Sequence, residues 1–113
     1  MRYLMMICTE ESDPPVSPEE HSAMPEFIAY NEEVARRGVA RGGNRLRPST
    51  DATTVRVRDG EVVLSDGPFA ETKDQIGGYD VIECANLDEA IDLASRHPCA
   101  AYGSIEVRPV WEY

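Results

Sequence analysis

The densest run of reactive side chains lies in residues 66–79, Asp-Gly-Pro-Phe-Ala-Glu-Thr-Lys-Asp-Gln-Ile-Gly-Gly-Tyr. Asp66 and Glu71 are carboxylates close in sequence, and such a pair can divide acid and base roles when its surroundings push the two pKa values apart. Lys73, and Arg45 from earlier in the chain, can hold an anionic group. Phe69 can offer a flat face to a ligand and Tyr79 a hydroxyl. Each has a plainer reading beside the functional one. Asp66 suits a turn, its side chain bonding backbone amides ahead of Gly67-Pro68. Glu71 and Lys73 read equally as solvated loop charges, and Phe69 as a plug beneath the loop. Gly67-Pro68 and Gly77-Gly78 are chain breakers, so the segment is expected to be an ordered loop between two strands.

Other chemistries lack their residues. The lysine precedes the glycines and no Gly-Lys-Ser/Thr opens a helix, so this is not a phosphate loop. His21 and His97 lack the helical spacing of metal ligands. His97 falls in the last turn of an expected helix, where a positive charge suits the dipole, and a capping or surface role is expected for both histidines. Cys8, Cys84 and Cys99 form no zinc pattern. No metal and no cofactor is expected. An odd cysteine count without a secretory segment reads as reduced thiols in a cytosolic protein. The apolar run in residues 3–8 is too short for a signal peptide or a membrane span. With 21 acidic against 11 basic residues the formal charge is -10, which argues against nucleic-acid binding and against docking on an anionic membrane. Neutral, cationic or metal-bound partners fit that charge better.

The elements that must position these residues follow from periodicity. Residues 2–8 place Tyr3, Met5 and Ile7 on one side and Leu4, Met6 and Cys8 on the other, so this strand is expected to be covered on both faces. Ser17-Pro18-Glu19-Glu20 signals a capped helix start, and Met24, Phe27, Ile28, Val34 and Ala35 follow at helical spacing up to Gly38. Pro25 implies a kink, or a stable helix that begins near Ser22 with Pro25 in its first turn. Val39 to Leu46 reads as a glycine-interrupted strand. Thr53 to Ser65 reads as a hairpin turning at Asp59-Gly60, with Val57 facing Val62, Val55 facing Leu64 and Arg58 facing Glu61. Tyr79 to Cys84 is the next strand. Asn86 caps a second helix with Leu87, Ala90, Ile91 and Ala94 as its apolar face, ended by Pro98. Ser104 to Val110 is the last strand. Without the hairpin this is two β-α-β halves in a single domain, an α+β chain of ferredoxin-like order. Two helices cover only one face of such a sheet, and a symmetric dimer with sheets face to face covers the other.

Asp66-Gly67-Pro68-Phe69, Ala70-Glu71-Thr72-Lys73 and Gly77-Gly78-Tyr79 together resemble the signature of the DGPF-domain proteins of the YCII-related family. Thr53 to Gly60 and Ile105 to Pro109 extend the resemblance over nearly the whole chain. It implies a dimeric α+β barrel of ferredoxin-like subunits in a bacterial, cytosolic homodimer. It also implies a link to sigma factors of the extracytoplasmic-function type, beside which such proteins are often encoded. Related YCII proteins carry a histidine early in the first helix, proposed to act with an aspartate. His21 lies several residues early for that role when counted back from Gly38, and Glu26 falls closer to the place.

The leading expectation is a small-molecule-binding or sensing homodimer with its pocket between sheet and helices. The 66–79 loop would form one wall, with Arg45, Phe69, Lys73 and Tyr79 as ligand contacts. One alternative is a cofactor-independent enzyme that uses Asp66 and Glu71 for proton transfer. The other is an interaction module for a transcription regulator.

Overall fold

The apolar first strand becomes the centre of a sheet. In the computed structural model, which describes residues 1–113, β1 (Arg2–Glu10) lies between β5 (Asp74–Glu83) and β6 (Ser104–Pro109), and β2 (Ala40–Arg45) adds outside β5. All three pairings of this β2-β5-β1-β6 sheet are antiparallel. A separate two-stranded sheet joins β3 (Thr53–Arg58) to β4 (Glu61–Asp66). Helices α1 (Pro18–Ala23), α2 (Pro25–Arg37) and α3 (Leu87–Arg96) complete a mixed α+β fold. No helix is long and apolar enough to cross a membrane.

Alternation along β1 sorts its side chains. Tyr3, Met5 and Ile7 are buried, whereas Leu4, Met6 and Cys8 on the opposite face are only partly covered. Tyr3 and Met5 join Val39, Ile82, Cys84, Ala90, Leu93 and Ala94 in the main core. A smaller cluster of Ile7, Phe27 and Cys99 packs beside it. Burying a large apolar side chain yields about 1.5–3 kcal/mol, but only 14 of 113 residues are buried. One copy of the chain therefore makes a thin core.

The helical region follows the second expectation in placing Pro25 in a helix's first turn, but the helix starts at Pro25 itself and a separate short helix precedes it. Ser17 caps α1 by accepting from the Glu20 N–H at 3.1 Å. Met24, in an extended conformation, then separates it from α2, whose first residue is Pro25. Proline has no N–H to donate and suits a first turn, so the chain restarts a helix there instead of kinking one. The apolar face of α3 also differs: Ala90, Leu93 and Ala94 are buried, while Leu87 and Ile91 are about half exposed. Asn86 caps that helix as expected, accepting from Glu89 N–H at 3.0 Å.

Gly77 and Gly78 do not break the chain. β5 starts at Asp74, five residues before the expected strand, so the second half of 66–79 is strand and not loop. Gly78 pairs with Ile7, and Gly77 is the extra residue where the β1–β5 register shifts, a bulge for which glycine is suited. The hairpin has the expected register, with Val57 opposite Val62, Val55 opposite Leu64 and Arg58 opposite Glu61. Asp59 and Gly60 both take positive φ, 51° and 77°, as its two-residue turn requires.

Candidate functional site

Phe27, three residues before Tyr30, places both rings on the sheet-facing side of α2. A row of rings follows from that spacing. His21 stands 4.2 Å from Phe27, Phe27 5.8 Å from His97, and His97 4.8 Å from Tyr30, measured between centroids. Beneath them lies a cavity of about 960 Å³, to which Ile7, Arg45, Asp80, Cys99 and Tyr102 also contribute. Apolar walls with a few convergent polar groups are what small-molecule sites usually offer.

The electrostatics of the cavity are set by burial. His97 is 8% exposed, and desolvation, with a smaller contribution from His21, pushes its pKa down to about 4. It is therefore neutral at physiological pH and neither a surface residue nor a positive charge on the helix dipole, contrary to the sequence reading. Capping is still its role: Nδ1 accepts from the Cys99 N–H at 3.0 Å, closing the turn at residues 98–101. The neutral ring then carries its proton on Nε2. Burial, and then Arg45, lower the His21 pKa. Burial, followed by the charge of Asp80, pushes the Tyr30 pKa up to about 12. Desolvation raises that of Asp80. The Tyr30 hydroxyl is buried with no hydrogen-bond partner.

Arg45 lines the cavity, its guanidinium donating to the Val16 carbonyl at 2.7 Å. Tyr79 borders it too, but as the partner of Met6 its side chain stands on the face away from the helices, its hydroxyl accepting from Asn44 Nδ2 at 3.1 Å. Glu71 and Lys73 instead line a smaller cleft of about 290 Å³ with Glu10, Glu11 and Gln75. Lys73 Nζ stands 4.0 Å from a Glu10 carboxylate oxygen there, both side chains well exposed. Asp66 and Phe69 line neither space. Asp66 ends β4 opposite Thr53 and makes no turn bond; Gly67 N–H donates to Ala52 O at 2.7 Å and Thr54 Oγ1 to Gly67 O at 2.8 Å instead. Phe69 is 82% exposed, so it is not a plug. No three His, Cys, Asp or Glu side chains converge as a metal site, and all three cysteines are free thiols.

Tyr30, Asp80 and His97 were not singled out as cavity residues by sequence. For Asp80 a signal exists: it shares a strand face with Ile82 and pairs opposite buried Met5, so a carboxylate interrupts a core face. Of the two first-helix candidates, His21 reaches the cavity and Glu26 does not.

The YCII-related domain matches residues 1–113. This chain belongs to the YCII-related family. It is also similar to an uncharacterised protein of Rhizobium meliloti (strain 1021), 40% identical over 99 residues that cover 84% of this chain and 78% of that one. Among the candidate residues of this YCII-related chain, His21, Arg45 and Tyr79 border one open cavity, while those of residues 66–73 stand outside it.

Proposed function

We propose that this is a small-molecule-binding or sensing protein of the DGPF type within the YCII-related family, a single domain whose ligand occupies the cavity between α1, α2 and the sheet. The observation that carries this reading is the Tyr30 hydroxyl, buried without a partner in a space shared with His21, His97 and Asp80. Leaving a buried donor unsatisfied costs about 1–3 kcal/mol, and a bound oxygen or nitrogen removes that cost. Ile76 to Tyr79 contribute to the cavity wall, which keeps the site beside the 66–79 segment.

The strand order β2-β5-β1-β6, with helices crossing between β1 and β2 and between β5 and β6, supports a ferredoxin-like subunit. Partly covered Leu4, Met6 and Val81, on the face without helices, support a homodimer with sheets face to face. A thin core supports it as well.

Native mass spectrometry of the purified protein tests both parts. A dimer is expected, carrying a retained small molecule or gaining mass with a ligand found by thermal-shift screening. A monomer overturns the dimer; a chain that no small molecule stabilises overturns the ligand reading.

A further inference from the structure

Two residues that line the cavity carry polar groups with no protein partner, one buried and one partly exposed. One is the Tyr30 hydroxyl. The other is the Asp80 carboxylate, which makes no hydrogen bond and no ion pair although it stands on the helix-facing side of β5, opposite Met5. Room is kept for it: a Cβ at Gly43, the residue across from Asp80, would collide with that carboxylate and lie 2.6 Å from the Tyr79 carbonyl. Neither group is needed to fill a core, because phenylalanine and an uncharged residue would pack there without desolvated polar atoms. Asp80 contributes to the raised pKa of Tyr30, which puts the two within electrostatic reach.

Arg45 supplies the third part. It pairs opposite Gly78, two residues from Asp80 on the adjacent strand, so both side chains leave the same face. Diagonal positions of this kind stand about 7–8 Å apart at the backbone, and both residues line the cavity. Arg45 has no ion pair, and its guanidinium is steadied by the Val16 carbonyl at 2.7 Å.

We propose that Arg45, Asp80 and Tyr30 form a proton-transfer site for a small oxo-carboxylic acid. This rests on the cavity being the ligand site. Arg45 holds the substrate carboxylate, and the ketone oxygen accepts a hydrogen bond from the Tyr30 hydroxyl. Asp80 takes a proton from the carbon beside the ketone: the C–H bond breaks, its electron pair forms the C=C bond, and the carbonyl electrons move to oxygen as an enolate. Returning the proton to the same or another carbon completes exchange or isomerisation, with no oxidant, reductant or second substrate. Burial serves both partners, since a desolvated carboxylate is a stronger base and a tyrosine that stays protonated remains a donor. A donor aimed at a developing oxyanion stabilises it.

The test uses 2-oxobutanoate in D2O, with deuterium entering at C3 followed by proton NMR and binding followed by thermal shift. The expected result is exchange above the buffer rate. Asp80→Asn should lower it by about a hundredfold or more while binding changes little, and Tyr30→Phe should lower it with the melting temperature kept or raised. Arg45→Gln should weaken binding, with exchange at saturation less affected. Binding without exchange, or exchange unaltered in Asp80→Asn, overturns the proton-transfer role. No binding of 2-oxobutanoate, while other small molecules still stabilise the protein, overturns the substrate class alone. If no small molecule stabilises it, the ligand reading fails and this proposal with it. Should Asp80→Asn not fold, Asp80→Glu decides: it keeps the carboxylate but displaces it, and unchanged exchange there overturns the role.

Discussion

The Nδ1 atom of His97 accepts the backbone N–H of Cys99 at 3.0 Å, holding a neutral imidazole against Tyr30 where α3 ends. Its pKa is near 4, against an ordinary value of 6.5. Between those pH values the unfolded chain binds a proton that the folded chain refuses. Stability therefore falls as pH drops from 6.5 toward 4, by up to about 1.4 kcal/mol per pH unit and about 3 kcal/mol in all. His21, also lowered, acts in the same direction, whereas Asp80, raised, opposes it at the acidic end. Urea denaturation across that range checks the slope. His97→Asn keeps an acceptor at the turn and should flatten it.

Replacing Tyr30 by phenylalanine separates folding from binding. Removing an unsatisfied buried hydroxyl should raise the stability of the ligand-free protein by about 1 kcal/mol, read as a higher denaturation midpoint. The same variant should bind any ligand of the cavity more weakly. Loss of stability would mean that the hydroxyl already has a partner.

Gly43 sits on β2 directly opposite Asp80 of β5. With φ of 158°, its absent Cβ would meet the Asp80 carboxylate and two backbone atoms of β5. Gly43→Ala should cost about 1–3 kcal/mol through overpacking. Because the collision includes backbone, Asp80→Ala should relieve only part of that cost in the double variant, a comparison that chemical denaturation resolves.

Met6 stands on the face of β1 turned away from the helices, opposite Tyr79 and Glu106. A glutamate there would place a charge beside Glu106 on a surface proposed to join two copies. Met6→Glu should shift sedimentation from dimer to monomer while far-UV circular dichroism of the subunit is retained. A dimer that persists would move the interface to another surface.

How much of this could be seen in the sequence depended on whether a local rule had competition. The hairpin is legible because Asp59-Gly60 and the valine alternation point to one register, and nothing else contacts those strands strongly enough to override it. β5 is misread at its start because Gly77-Gly78 looks like a stop until a neighbouring strand exists to make it a bulge. The division at Met24 is likewise hidden: the sequence announces Pro25 as awkward, but only packing selects a fresh start over a kink.

The site is less legible than the fold. Arg45 and Tyr79 are cavity residues that composition and position can nominate. Asp66 and Glu71 attract notice as carboxylates in a glycine-rich run, yet Asp80, a carboxylate that does line the cavity, sits inside a strand whose apolar neighbours mask it. Tyr30 reads as one more position on a helix until its hydroxyl proves to be without a partner, and His97 reads as a helix-end cation until burial makes it neutral.

The β3–β4 hairpin pairs with no strand of the main sheet, and β2 and β5 on either side of it pair directly, Asn44 opposite Tyr79 and Arg45 opposite Gly78. Leu46 N–H to Gly77 O, at 2.9 Å, closes the base of this excursion. The chain spans 48 × 40 × 20 Å with a radius of gyration of 15.9 Å, against about 13 Å for a rounded domain of this length. Residues 49–73, none of which lines the cavity, are in this sense a cassette: their own pairing does not enter the alignment of the strands that carry Arg45 and Asp80. Variation in what the arm touches can then proceed separately from variation in what the cavity holds.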